Sequence, residues 1–456
     1  MVQRWAEGAE KLKQRTGSAS VLWSSCLAML AVGANSTAIM AALPEMQTQL
    51  SLSPAGAEWA VNAYLVVSAA CIALGGQTAD RFGSRLVALV GLTLFGVASC
   101  IIATAFEQTA LLAGRALQGL AAAFAVPSTL AAVDTSAAPE RRAIATSAWA
   151  GFLILGFSIG PLLGGVLTHI TGWRLIFWLN VLLISTSIVG LASAGSLMPR
   201  GNNRRTDWVG FVLLATLMVS LVFALHGVPH MAVAPLSVIG TFGLAAIALV
   251  LLVAAESRSE APLVDLRFFA RREFVMGVAI GSLSMFSIMS LLLYFNLYAQ
   301  SREGLGLTAL EAGASLLPLS AALLALALSA SAVAARVGLR TAMTGGMALI
   351  AIAGAIIGVA IARGGMVLLA IGFLVMGVGL AVPYALAPRL ALSVLSPAQV
   401  GQGSGIVNAC TFLGGSVGVA GGAIALALGG FVAVLAMIAL AGIVGAVVSR
   451  GISEAA

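Results

Sequence analysis

Charge is scarce in this chain: 9% of its 456 residues are Asp, Glu, Lys or Arg, while 60% are hydrophobic. A soluble globule of that length needs far more polar surface, so the composition excludes one and places the chain in a bilayer. Cysteine is scarcer still. Cys26, Cys71, Cys100 and Cys410 fall within apolar runs, at spacings that suit neither a disulfide framework nor a metal site, and are expected to pack. His226 and His230 share one short loop; two ligands are too few for a metal, and both are expected to be solvated. No carboxylate lies near the centre of any apolar run, whereas a membrane-embedded enzyme would need a convergent acid, base or nucleophile set there. That class is disfavoured. The GVG at 377–379 sits inside an apolar run with no strand before it, so it is no nucleotide loop. No metal, cofactor or nucleic acid is expected, and no soluble domain remains to relay a receptor's signal.

What the chain has in abundance is apolar runs of about 20 residues, the length that crosses ~30 Å of hydrocarbon as helix. Fourteen are read, at 20–43, 57–78, 86–106, 109–133, 144–167, 174–197, 207–225, 232–254, 274–299, 311–335, 341–362, 366–387, 402–426 and 430–449. The short alternating segments of a membrane barrel are not the pattern. The expected fold is an all-α integral membrane protein. The N-terminus and every second loop hold 19 of the 23 Lys and Arg, from Arg4 to Arg450, while the opposite loops hold only Arg174, Arg302 and Arg363. This bias orients both termini toward the cytoplasm across an inner membrane, so the net charge of +7 reflects topology rather than a nucleic-acid partner. The first span is too long for a signal-peptide core and is expected to be a retained anchor.

The chain repeats itself. ADRFGSR (79–85) returns as AARVGLR (334–340), AVPSTLA (125–131) as AVPYALA (381–387), and glycines 156, 160 and 164 as 414, 418 and 422, at offsets of 255, 256 and 258. The repeated unit is six spans. The expected organisation is a cytoplasmic segment 1–19, a six-helix bundle 20–197, a linker with two spans 198–273, and a second six-helix bundle with a short tail 274–456. The bundles are related by pseudo-two-fold symmetry. Two bundles of the same orientation can hold a site between them that opens alternately to either side. Gly156, Gly160 and Gly164 share one helix face and invite close backbone approach, with Pro161 and Gly165 adding a bend. Their repetition points to a surface between the halves.

One cation breaks the charge pattern. Arg115, in LLAGRALQGLAAAFAVP (111–127), has no acid beside it, and an arginine in hydrocarbon must face protein or a water-filled cavity. Three roles stay open: snorkelling to the outer headgroups, structural pairing with carbonyls and Gln118, or contact with substrate or a neighbouring acid. At 1.5 Å per residue Asn35 lies about 12 Å and Arg115 about 9 Å below the outer helix ends, and Tyr64 shares that layer. Further candidates for the cavity wall are Trp149, Phe152, Phe286, Asn296, Tyr384 and Asn408, whereas Tyr294 and Tyr298 read as interfacial belt residues.

GQTADRFGSR (76–85) resembles the loop motif of the major facilitator superfamily, LLAGRALQGLAAA (111–123) its helix-4 motif, and GFSIGPLLGGVL (156–167) the helix-5 motif of its antiporters. TAIMAALPEM (37–46), EWAVNAYL (58–65), GWRLIFWLNV (172–181), LEAG (310–313) and SGIVNACTFLGGSVG (404–418) resemble its fourteen-helix drug:proton antiporter branch. That resemblance implies multidrug-type efflux of small amphipathic molecules by proton antiport, from a monomer in the lipid bilayer. It also implies that Asp80, Arg81 and Arg85, with Gly76 and Gly83, form a cytoplasmic charge latch. Ala335 takes the aspartate's place in the second loop, so the latch is asymmetric. Gly160, Pro161, Gly164 and Gly165 would seal helix 5 against the other bundle. One departure matters. Where the branch carries an aspartate in helix 1, this chain reads ANST with Asn35, so a helix-1 proton carrier cannot be transferred. Export of one specific metabolite without proton coupling is the alternative, and a neutral Asn35 beside Arg115 leaves a positive cavity that disfavours lipophilic cations.

Overall fold

Hydrocarbon offers the backbone no hydrogen-bond partner, so each apolar run closes its own bonds as a helix. A computed structural model of the chain describes residues 2–194, 207–259, 261–396 and 399–453. Arg200, Arg204, Arg205 and the expected boundary at 197/198 lie outside them. The helices are α1 (Val2–Gln49), α2 (Pro54–Phe82), α3 (Ser84–Ala103), α4 (Gln108–Ser136), α5 (Arg142–Thr171), α6 (Arg174–Ser193), α7 (Trp208–Gly227), α8 (Pro235–Glu256), α9 (Arg272–Gln300), α10 (Ala309–Ser315), α11 (Leu317–Val337), α12 (Leu339–Arg363), α13 (Met366–Leu392) and α14 (Val400–Ser449). No strand occurs among the described residues.

One expected span is interrupted, and two others are joined end to end. The run 311–335 is split into α10 and α11 at Leu316, because Pro318 has no amide hydrogen and its ring crowds the preceding turn. Between the runs 402–426 and 430–449, Gly429 and Gly430 leave helical geometry, Gly430 at φ 67°, where a side chain would be strained. The chain reverses there. Gly421 and Met437 face each other across the turn, so α14 is a hairpin of two membrane-length arms.

The packing repeats as the sequence does. α1 packs on α5, α2 on α4, and α3 on α4 and α6; correspondingly α9 packs on the first arm of α14, α11 on α13, and α12 on α13 and the second arm. Both motif loops turn on a glycine of the same unusual geometry, Gly83 at φ 93°, ψ 135° and Gly338 at φ 86°, ψ 143°. Each donates its amide, at 2.9 Å, to the carbonyl four residues back, Ala79 and Ala334. The inserted pair α7 and α8 packs mainly on itself, and α7 also touches α2 and α14, one helix of each bundle.

Candidate functional site

Arg115 is delivered to the interior of the first bundle by glycines on either side of it. A Cβ on Gly119 would lie 2.5 Å from the Tyr64 carbonyl oxygen, and Gly114 meets the Ile102 side chain, so α4 lies flush against α2 and α3. The guanidinium is fully buried and does not snorkel. Its Nε donates to the Ala60 carbonyl at 2.7 Å, its Nη1 to Gln118 Oε1 at 2.7 Å, and its plane sits 4.7 Å from the Tyr64 ring centroid. The other terminal nitrogen, Nη2, has no partner. Gln118 Nε2 donates to Ser99 Oγ at 2.9 Å, and Asn180 Nδ2 donates to Asn35 Oδ1 at 2.8 Å. Asn35 and Gln118 face each other at 3.4 Å, a long contact that closes the network. Ser36 Oγ donates to the Tyr64 hydroxyl at 3.2 Å. Five helices of one bundle thus supply amides, hydroxyls and a ring face to a cation, and the network contains no carboxylate.

The bundles meet beside this network. The Tyr64 ring stands edge-on to Phe412 at 6.5 Å, and Phe157 stands edge-on to Tyr384 at 6.3 Å. Asn62 Nδ2 donates to the Ser416 carbonyl at 3.2 Å, and Ser416 Oγ donates back to Asn62 Oδ1. Nearer the end expected to face outward, Gln300 Nε2 donates to the Ala41 carbonyl at 2.9 Å. Gly165 abuts the Ala309 main chain, and a Cβ on Gly313 would lie 2.6 Å from the Pro161 carbonyl oxygen. Asn62, Phe157, Asn180 and Ser416 were not singled out from the sequence. For Asn62, Asn180 and Ser416 the signal available was a lone amide or hydroxyl in an apolar span; Phe157 carried none.

Several expected positions are corrected by this geometry. Gly156, Gly160 and Gly164 do not face the other bundle: Gly156 meets Leu30 and Ala34, Gly160 meets Thr37, and Gly164 meets Ala38, all on α1 of the same bundle. Their repeats Gly414, Gly418 and Gly422 likewise face α9 of their own bundle. Within that glycine–proline cluster, Gly165 and Pro161 are the members that reach across. Trp149 Nε1 donates to Thr129 Oγ1 at 3.2 Å within the first bundle. Phe152 is edge-on to Trp23, itself 63% exposed, so it belongs to the outer surface of α1 and α5 rather than the seam. Phe286 packs against α14 at Gly418 and Gly421. Asn296 and Asn408 donate to carbonyls of their own helices, Leu292 at 2.8 Å and Ser404 at 2.9 Å. Tyr294 is buried, not a belt residue, and its hydroxyl donates to the Val419 carbonyl at 2.6 Å. His226 is no solvated loop residue: its side chain is 6% exposed in the last turn of α7. In the loop motif, Asp80 is exposed at the end of α2, Arg81 lies 5.0 Å over the Phe82 ring, and Arg85 donates to the Ala192 carbonyl of α6. A Cβ on Gly76 would touch nothing.

A family model described as Major Facilitator Superfamily matches residues 25–419. The methylenomycin A resistance protein of Bacillus subtilis is 31% identical over 303 residues, covering 66% of this chain and 64% of its own. The tetracenomycin C resistance and export protein of Streptomyces glaucescens is 30% identical over 303 residues, covering 65% and 56%. The chain therefore matches less than two thirds of the length of either relative. The methyl viologen resistance protein of Salmonella typhimurium is 29% identical over 407 residues, covering 86% and 79%. The crystal structure of an auto-inhibited POT family peptide transporter shares the fold, with a TM-score of 0.70 over 96% of this chain and 97% of its own at 16% identity. With the family model covering the first bundle, the intervening helix pair and most of the second bundle, the chain belongs to the major facilitator superfamily.

Proposed function

We propose that the protein is a secondary active transporter of the cytoplasmic membrane that exports small amphipathic molecules by alternating access, coupled to proton antiport. The observation that carries this reading is the seam. Two pseudo-symmetric bundles touch through Tyr64 and Phe412, Phe157 and Tyr384, and Asn62 and Ser416, with the buried Arg115 network directly behind Tyr64. Aromatic and amide contacts of this kind, between bundles of equal architecture, suit a site exposed by rocking one bundle against the other. The substrate class is supported by relatives named for resistance to two antibiotics and to methyl viologen. Arg115, Asn35, Gln118, Tyr64 and Tyr384 are the residues assigned to the pathway. A second reading, export of one metabolite without proton coupling, is favoured by the amide shell of Arg115, where Asn35 stands in place of an acid.

The test is reconstitution into proteoliposomes with an imposed pH gradient and a panel of cationic, neutral and anionic amphipaths. Substrate-dependent proton flux is the expected result. Counterflow of one compound class without proton movement selects the second reading, and no counterflow of any compound overturns transport.

A further inference from the structure

Glu58 and His226 form a buried pair that the seam and the Arg115 network do not use. Glu58 sits near the start of α2 and His226 in the last turn of α7. Their side chains are 15% and 6% exposed, with His226 Nε2 3.5 Å from Glu58 Oε2. His226 Nδ1 lies 3.2 Å from the Val222 carbonyl oxygen of its own helix. A carbonyl only accepts, so that bond keeps the hydrogen on Nδ1, and a neutral imidazole then turns a bare lone pair toward the carboxyl group. No hydrogen-bond partner reaches Nε2. On its other side the Tyr294 hydroxyl of α9 lies near the Glu58 carboxyl, but its one hydrogen goes to the Val419 carbonyl of α14 at 2.6 Å. His226 from α7 and Tyr294 from α9 are the titratable groups that face Glu58; α14 contributes the Val419 carbonyl.

We infer that Glu58 and His226 form a one-proton site that clamps both bundles and the inserted helix pair together at the end of the molecule expected to face outward. With one proton between them the pair is satisfied, whether it rests on oxygen or on Nε2. Without that proton, a carboxylate faces a lone pair. With a second, an imidazolium faces a neutral acid. Either state leaves a buried charge uncompensated, which is strongly unfavourable. Two features favour the imidazolium: the place of His226 in the last turn of α7, and the Trp59 ring 4.8 Å away and tilted by 36°. The clamp joins α2 to α7, and α7 packs on α14 of the other bundle, so its proton count sets how readily that end parts. It does not rest on proton antiport, because an uncoupled carrier would be gated in the same way.

The experiment uses full-length protein in lipid nanodiscs with spin labels at Thr48→Cys and Arg302→Cys, exposed positions flanking the contact of α1 with α9. Distance distributions are recorded across the pH range in which carboxylates and imidazoles titrate. The short-distance population is expected to peak at intermediate pH and fall on both sides. His226→Phe should lower the closed-to-open ratio about tenfold and flatten the profile. Glu58→Gln supplies a permanent amide donor to Nε2, so it should keep the end closed and abolish only the alkaline decline, whereas Glu58→Ala should open it. Distances that ignore pH in the wild type, or variants that keep the wild-type profile, overturn the clamp. If the variants do not fold, the 15N-histidine spectrum of the wild type decides. Titration of His226 Nε2 in step with the distance change supports the clamp, and a titration independent of it overturns the clamp.

Discussion

Arg115 is a cation held without an anion, and its surroundings predict what each substitution does. Hydrogen bonds to charged groups contribute about 1.5–3 kcal/mol each, and Arg115 makes two, with Gln118 and with the Ala60 carbonyl. Arg115→Ala removes both and leaves a void, so a stability loss of about 2–5 kcal/mol is expected in thermal unfolding of purified protein, by analogy with other large-to-small core changes. Arg115→Lys keeps the charge without the planar fork that reaches both acceptors, and it should restore neither stability nor transport in full. Wild-type values for the lysine variant would remove the fork from the account. Asn35→Asp places a carboxylate one hydrogen-bonded residue from Arg115 and offsets its charge, so competition by cationic amphipaths should strengthen on the order of tenfold. An unchanged competition panel would separate Asn35 from the substrate path. Arg115 was legible in the sequence because a guanidinium in an apolar run always needs a protein explanation. Asn62 and Asn180 were not, because an amide in a membrane helix can bond its own backbone, as Asn296 and Asn408 do, and residue type alone does not tell which amide reaches a neighbour.

At the scale of elements, the glycine stripe of α5 holds the first bundle together. Gly160 lies against Thr37, whose hydroxyl donates to the Phe157 carbonyl at 3.1 Å and is therefore fixed in place. Gly160→Leu should destabilise the α1–α5 contact by about 1–3 kcal/mol or more through overpacking, with transport lost in protein that still inserts. Thr37→Ala should partly rescue the smaller Gly160→Ala change. A fully active Gly160→Leu would mean that the helices separate freely there. The helices themselves were legible from apolar length, and the stripe from its spacing of four. Its partner was not, because spacing fixes which face is small but not which helix lies against it. A different device starts α10: Glu311 accepts from the Thr308 amide at 2.8 Å and from its hydroxyl at 2.9 Å. The Thr308 backbone bond first, and its side chain second, hold the Glu311 carboxyl below its usual range. The cap's contribution is therefore complete above the ordinary glutamate pKa of about 4.3 and is lost as pH falls through the depressed value. Amide exchange across 309–315 should quicken only at that acid end. Glu311→Gln should abolish the acid step, and a step that survives it would assign the acid dependence to another group.

Over the whole molecule, the duplication was readable from three motif pairs at nearly one offset, and the twin turns at Gly83 and Gly338 share one backbone geometry. The reversal within α14 was readable as two runs that part at Gly429 and Gly430. What no offset revealed is how the halves touch, since the seam joins residues that are not equivalent in the repeat. If Asp80 latches the cytoplasmic end, Asp80→Asn should raise the reactivity of cysteines introduced there and slow turnover severalfold while leaving substrate binding intact. Unchanged reactivity together with unchanged turnover would remove the latch. The two flanks of the seam differ in kind. Along α5 and α10 the bundles touch through Gly165, Pro161, Ala309 and Gly313, main chain against main chain, and separation there breaks van der Waals contact. Along α2 and α14 they share the reciprocal bonds of Asn62 and Ser416, and separation strands two buried polar groups until water arrives. Under the proposed alternating access the bundles would therefore part more easily along one flank than the other, so the first opening would be lopsided, a wedge that starts between α5 and α10 and admits water to the amide flank last.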